Sequence, residues 1–149
     1  MGGEAARLEP VYEMSATFGL SHIAMKVTEL DRAVRFYEQA FGARQYARGE
    51  RTAQVLGPGP TDVIAFELIP DQAGVAGGLI HFGLRLTGPE ALDSVLERVL
   101  AAGGTLKQRG DFGDNQPFAF VLDPEGYEIE IWHENTPHHV PERFGETKE

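Results

Sequence analysis

Two stretches of the chain are near-copies of each other: LSHIAMKVT at residues 20–28 and LIHFGLRLT at residues 79–87. Each alternates as a half-buried strand does, and each carries a histidine in third place, His22 and His81, 59 residues apart (81 − 22). This repeat constrains the fold more than any other feature of the sequence. Two copies of one supersecondary unit each have an apolar face that must be buried, and pairing the copies is the direct way to bury both.

The duplication continues beyond the strands. Aligning the histidines pairs Lys26 with Arg85, Thr28 with Thr87 and Glu38 with Glu97. A helical stripe follows each strand. In the first copy Thr28 is the expected N-cap, with Asp31 in the capping-box position; Ala33, Val34, Phe36, Tyr37, Ala40 and Phe41 form the stripe, and Gly42 ends it. In the second copy Pro89 suits the first turn, Leu92, Val95, Leu96, Val99 and Leu100 form the stripe, and Gly103 ends it. Three strand candidates follow each helix, at about 44–49, 51–56 and 62–69, then at about 105–109, 117–122 and 127–132, with turns at GPGPTD and DPEG. The pattern is βαβββ twice, an α+β arrangement, with modules at 18–70 and 79–134. Residues 71–78 (DQAGVAGG) read as a flexible linker. Residues 1–17 and the tail at 135–149 are polar and Pro-broken, and are expected to be loosely ordered.

Strand side chains alternate between faces. Ile23, Met25 and Val27 form one face of the first strand, and Ile80, Phe82, Leu84 and Leu86 one face of its copy. These aliphatic faces belong under the helices, so His22 and His81 point the other way, beside small residues. The last strand of each half repeats the logic. Glu67, and Glu128, Glu130 and Trp132, lie on the faces away from the aliphatic side. Each half therefore supplies one His and one Glu on one open face. If the halves close around a shared space, His22, Glu67, His81 and Glu130 converge as nitrogen and oxygen donors suited to Zn, Ni, Co, Mn or Fe.

Composition narrows the chemistry. There is no cysteine, so thiolate nucleophiles, disulfides and zinc–thiolate sites are excluded. The net charge of −10 disfavours nucleic acid and anionic membranes as partners. No apolar run nears the roughly 20 residues of a membrane span, and the N-terminus lacks the basic-then-apolar order of a secretory signal. The expected location is cytoplasmic.

The segments SHIAMKVTELDRAVRFYEQAFGA, IHFGLRL and FVLDPEGYEIEIW resemble the vicinal oxygen chelate superfamily, which includes glyoxalases, bleomycin resistance proteins and extradiol dioxygenases. The resemblance covers about residues 18–134. It implies two βαβββ modules in a curved mixed sheet with a metal cleft, and ligands at His22, Glu67, His81 and Glu130. All four positions are filled, which is similar to the glyoxalase I-like branch. That branch implies a lyase or isomerase working through an enediolate, with Glu130 or Glu67 as the proton-transfer base. Extradiol dioxygenases carry a second-sphere His and Tyr, where this chain offers Phe66, Phe118 and Phe120. Ring cleavage is thus the alternative enzyme reading. A bleomycin-type binder using Phe118, Phe120 and Trp132 without turnover is the non-catalytic one. Arg44, Arg48 and Arg51 are candidates for the carboxylates of a glutathione adduct. One module presents half a cleft, which either the other half of the same chain or a module of a second chain would close; the resemblance to small superfamily members implies the second route, a homodimer with sites between subunits, with a small molecule as substrate.

Overall fold

The computed structural model describes residues 20–59 and 61–133 together with Ala16. The N-terminal segment at 1–17, Ala16 apart, and the tail at 135–149 lie outside the described residues. The elements are β1 (His22–Val27), α1 (Leu30–Phe41), β2 (Arg44–Arg48), β3 (Thr52–Leu56) and β4 (Val63–Leu68), then β5 (Phe82–Arg85), α2 (Leu92–Ala101), β6 (Thr105–Asp111), β7 (Pro117–Leu122) and β8 (Glu128–Trp132). This is βαβββ twice in an α+β fold, as the duplication predicts. Hydrogen bonds group the strands into two four-stranded sheets with equivalent orders, β1-β4-β3-β2 and β5-β8-β7-β6. In each sheet the first strand runs parallel to the last, because the helix crosses over between them, and the other pairs are antiparallel. The repeat extends to a register irregularity at the same place in both modules, between Gln45 and Ala47 in β2 and between Leu106 and Gln108 in β6.

The helices form where the apolar stripes predict. In α1, Leu30, Ala33, Val34, Phe36, Tyr37 and Ala40 are buried, and Gly42 closes the helix in the left-handed region (φ 69°). Its N-terminus differs from the expected capping box. Glu29 stands at the N-cap with no side-chain cap, because Thr28 gives both its backbone N–H and its hydroxyl to Glu125, each at 2.7 Å. In α2, Leu92, Leu96 and Val99 are buried, while Leu100 is 53% exposed. Leu100 follows Leu92 by eight positions and has rotated about 80° away from it, to the rim of the stripe. The strand expected at 79–87 is shorter than its copy suggests. β5 begins at Phe82, so His81 immediately precedes it and Ile80, assigned to the core by alternation, is 77% exposed.

Both modules share one apolar core. The contact between them is close at Gly104, where a Cβ would come within 2.7 Å of Val99 Cγ1 and 2.9 Å of both the Leu122 carbonyl oxygen and the Phe36 ring. Only a residue without a side chain lets α1, α2 and β7 approach this closely.

The DPEG turn, between β7 and β8, joins the modules by hydrogen bonds. Tyr37, fully buried on α1, donates its hydroxyl to Asp123 Oδ2 at 2.9 Å. Asp123 Oδ1 accepts the backbone N–H groups of Glu125 (2.9 Å) and Tyr127 (3.0 Å). Glu125 accepts from Thr28 and, at 2.9 Å, from Arg32. Tyr127 donates its hydroxyl to the Lys26 carbonyl (2.8 Å) and accepts the Gly74 N–H (3.0 Å). The stretch at 71–78, read as a flexible linker, is therefore tied at Gly74. That residue sits at φ +79°, where a Cβ would come within 2.5 Å of the Glu125 carbonyl oxygen. Among the described residues no helix is long and apolar enough to cross a membrane.

Burial raises the Asp123 carboxyl above its ordinary pKa, against the lowering effect of its hydrogen bonds. Burial and the neighbouring Asp123 push the Tyr37 hydroxyl well up. Removing the Asp123 carboxyl leaves a buried hydroxyl and two N–H groups unpaired. Asp123→Ala is expected to cost about 3 kcal/mol of stability and Tyr37→Phe about 1–2 kcal/mol, measured by urea unfolding.

Glu125 shifts the opposite way. Burial raises its pKa, but the bonds from Thr28 and Arg32 together bring it below the ordinary value. Folding thus favours its ionised form. That contribution is complete above the ordinary glutamate pKa of about 4.3 and is lost as pH falls through the lowered folded value. The stability gap between wild type and Glu125→Gln is expected to stay constant from about pH 7 to about pH 5 and to narrow as pH drops from about 5 through about 3. Parallel urea curves across that range check it.

Candidate metal centre

The open face of the second sheet carries a polar cluster of His81, Glu128, Glu130 and Lys107. The ladder pairs Gly83 with Glu130 and Phe82 with Ile129, so His81 stands level with Glu128. Alternation puts His81, Gly83, Glu128, Glu130 and Trp132 on one face, with Phe118 and Phe120 of the neighbouring strand beside Trp132 and Glu130. His81 sits between the two carboxylates. Its Nε2 lies 3.1 Å from Glu130 Oε2, and its Nδ1 lies 3.3 Å from Glu128 Oε2. The Nδ1 atom is buried and has no hydrogen-bond partner at that geometry. Lys107, on β6, holds the other oxygen of Glu128, and this hydrogen bond keeps the Glu128 carboxyl below its ordinary pKa. The ring of Phe120 lies 5.2 Å from that of His81.

His22 and Glu67 occupy the open face of the first sheet, as alternation predicts, but at different levels. The ladder pairs His22 with Val63 and Lys26 with Glu67. Glu67 therefore lies four residues beyond the level of His22, about 13 Å along the strand. In the second module Glu130 lies only two residues beyond the level of His81. The structural counterpart of Glu130 is Ala65, which pairs with Ala24 as Glu130 pairs with Gly83; the counterpart of Glu67 is Trp132, as Lys26 and Arg85 are the matching partners. His22 Nδ1 is within 2.7 Å of Ser21 Oγ at the exposed start of β1. Among the described residues no group of three or more His, Cys, Asp or Glu side chains forms a metal-binding arrangement. One chain thus brings His81 and Glu130 together and leaves His22 and Glu67 apart from them.

The donor set still suits a divalent ion in part. His81 and Glu130 offer one nitrogen and one carboxylate side by side, and Glu128 borders the far side of the ring, where a metal-bound histidine usually has a carboxylate or carbonyl partner. The sequence reading did not single out Glu128 and Lys107. Alternation in YEIEIW had already put Glu128 on the same face as Glu130; its ties to His81 and Lys107 come from cross-strand neighbours. Of the arginines considered for glutathione carboxylates, Arg48 pairs with Asp31 of α1 at 2.8 Å and Arg51 donates to the Leu68 carbonyl at 2.6 Å.

Residues 19–131 match the Glyoxalase family, described as the glyoxalase/bleomycin resistance protein/dioxygenase superfamily. The chain belongs to that superfamily. It is 29% identical over 122 residues to the lactoylglutathione lyase of Arabidopsis thaliana and, equally, to a putative lactoylglutathione lyase of Brassica oleracea var. gemmifera. Both matches cover 74% of this chain but only 42% of the relative, so the chain spans less than half the length of these proteins. Among solved structures, the fosfomycin resistance protein FosX of Listeria monocytogenes superposes with a TM-score of 0.69 at 18% identity, covering 83% of this chain and 99% of that one. A family enzyme from Burkholderia phytofirmans superposes at 0.66 with 20% identity, covering 76% and 96%. These likenesses establish the vicinal oxygen chelate fold.

Proposed function

We propose that the chain is a metal-dependent vicinal oxygen chelate enzyme, a lyase or isomerase that moves a proton alpha to a carbonyl on a small substrate. The observation that carries this reading is His81 held between Glu128 and Glu130 on an open sheet face. The likeness to lactoylglutathione lyases supports the lyase branch.

In this reading His81 and Glu130 are two ligands of one divalent ion (Zn, Ni, Co, Mn or Fe), and His22 is a third. When bound, the ion supplies Lewis-acid polarisation of two neighbouring substrate oxygens. The chain's own residues do the rest. Glu128 borders the Nδ1 side of the His81 ring and leaves Nε2 for ligation. The Glu130 carboxylate takes the proton from the carbon next to the carbonyl and returns it to the adjacent one. Phe120, paired with Glu130 across the ladder, and Trp132, two residues on in the same strand as Glu130, border that face. Glu67, the fourth ligand and second base expected from the sequence, stands level with Lys26, about 13 Å from His22. Side chains stand roughly perpendicular to a sheet, so the three-donor set is the better-supported one.

The assembly is proposed as a homodimer, with His22 facing His81 and Glu130 of a second chain. Within one chain no third donor joins His81 and Glu130 among the described residues. The groove edge beside β1 and β5 exposes Val75 (73%), Leu79 (58%) and Ile80 (77%), apolar surface that a second copy would cover.

Elemental analysis tests the ligand set. Wild type is expected to bind one divalent ion per chain, His81→Ala and Glu130→Ala to lose it, and Glu67→Ala to retain most of it. Equal metal content in wild type and His81→Ala would overturn the reading.

Light scattering at micromolar concentration is expected to give twice the chain mass. Mixing His22→Ala with His81→Ala chains is expected to restore metal binding to about one site per mixed dimer, since one of its two sites then keeps both histidines. A monomer with full metal content would rule out the shared site.

A further inference from the structure

We propose that Lys107 is a positioning residue for the metal site: from the edge strand β6 it holds Glu128, and Glu128 in turn fixes His81 so that the ring presents Nε2 to the ion. This rests on the metal reading above and adds the device that orients its histidine.

The repeat shows that the pair is no requirement of the fold. Gly83 pairs with Glu130 as Ala24 pairs with Ala65, so the counterpart of Glu128, two residues earlier, is Val63. The register irregularity in β6 leaves Lys107 as the extra residue between Leu106 and Gln108; its counterpart in β2, between Gln45 and Ala47, is Tyr46. An extra residue of this kind re-aims its side chain. In the first module Tyr46 reaches only the adjacent strand, where its hydroxyl donates to Gln54. In the second, Lys107 reaches past β7 to Glu128 on β8, two strands away, a span of about 10 Å. Lys107 and Glu128 thus depart from the repeat together, at positions where the same architecture forms with a tyrosine and a valine.

Their placement accounts for the geometry at His81. Glu128 and Glu130 lie on one face, roughly 7 Å apart along the strand, and both are mostly buried. Two carboxylates so placed repel each other. Lys107 takes Glu128 Oε1, which leaves Oε2 turned to His81 Nδ1 at 3.3 Å. That Nδ1 is buried and has no hydrogen-bond partner at this geometry. An ion at Nε2 requires the ring's remaining proton to sit on Nδ1, and Glu128 Oε2 is the acceptor in place for it. Freed from Lys107, the Glu128 side chain turns away from its neighbour Glu130, and the ring loses the acceptor that holds Nδ1 on that side.

The sign of one measurement separates positioning from charge. Lys107 is a cation beside a cation site, so by Coulomb repulsion alone its removal tightens zinc binding. Positioning requires the reverse. Zinc affinity of the full chain, measured by competition with a chromophoric chelator, is expected to fall about tenfold in Lys107→Met and to be restored in Lys107→Arg. Glu128→Leu is expected to lose about ten- to a hundredfold, and Glu128→Gln, which keeps an acceptor oxygen without the charge, to stay within about threefold of wild type. In the Glu128→Leu background, Lys107→Met is expected to have no further effect. Nitrogen NMR of the zinc-loaded protein is expected to show His81 bound through Nε2 with its proton on Nδ1, a signature kept in Glu128→Gln and lost in Lys107→Met. Unchanged or raised zinc affinity in Lys107→Met overturns the positioning role and leaves the metal reading standing. Equal losses in Glu128→Gln and Glu128→Leu show that charge acts rather than orientation, and overturn it as well. No zinc binding by wild type overturns the metal reading and the positioning role with it.

Discussion

The buried hydrogen bond between Tyr37 and Asp123 underlies the rest of the structure. It joins the helix of the first module to the turn that opens the last strand of the second, with both partners out of water. Hydrogen bonds within a low-dielectric interior are strong, and leaving either partner unmade is costly. The pair therefore tolerates little sliding of one module on the other. Around it, Glu125 takes Thr28 and Arg32, and Tyr127 takes Lys26 and Gly74. The DPEG turn thereby anchors the strand that carries Glu128 and Glu130. The position of the candidate ligands follows from these contacts, made on the opposite side of the sheet from any substrate.

Register then decides which repeated residues are equivalent in space. Both modules keep the same strand order, the same parallel pair and the same register irregularity in the strand after the helix. Yet Glu67 and Glu130 stand at different levels, because a ladder offset of two residues moves a side chain by one repeat of the pleat without changing its face. Ala65 stands where Glu130 has its counterpart. The chemistry is thereby asymmetric. The second module holds a histidine between two carboxylates, beside aromatic rings; the first offers an exposed histidine and a carboxylate next to a lysine.

That asymmetry suits a division of labour between modules. A histidine flanked by Glu128 and Glu130, with Lys107 on the outer carboxylate, is oriented before any ligand arrives. His22, at an exposed strand end, has room to meet a partner. A line of aromatic rings from Phe112 through Phe118 to Phe120 borders the same face, within a protein whose net charge is strongly negative.

The sequence by itself determined the βαβββ duplication, the two helices and the faces of the strands, because these follow from local periodicities of about 3.6 and 2 residues. His22, His81, Glu67 and Glu130 were assigned to the open faces for that reason. Levels along a ladder were not legible, since the offset between β1 and β4 depends on how α1 packs and how long each loop is. The same His-then-Glu order in sequence, with spacings of 45 (67 − 22) and 49 (130 − 81), therefore does not give equal positions in space. The same holds for Thr28, a good N-cap by residue type, whose donors the tertiary structure gives to Glu125 from 97 residues away. It holds as well for Ile80 and Leu100, apolar in pattern and exposed in fact, because burial depends on where a strand begins and how far a helix face extends. Long-range partners, and through them the set of side chains that share a site, were decided only when the two modules packed.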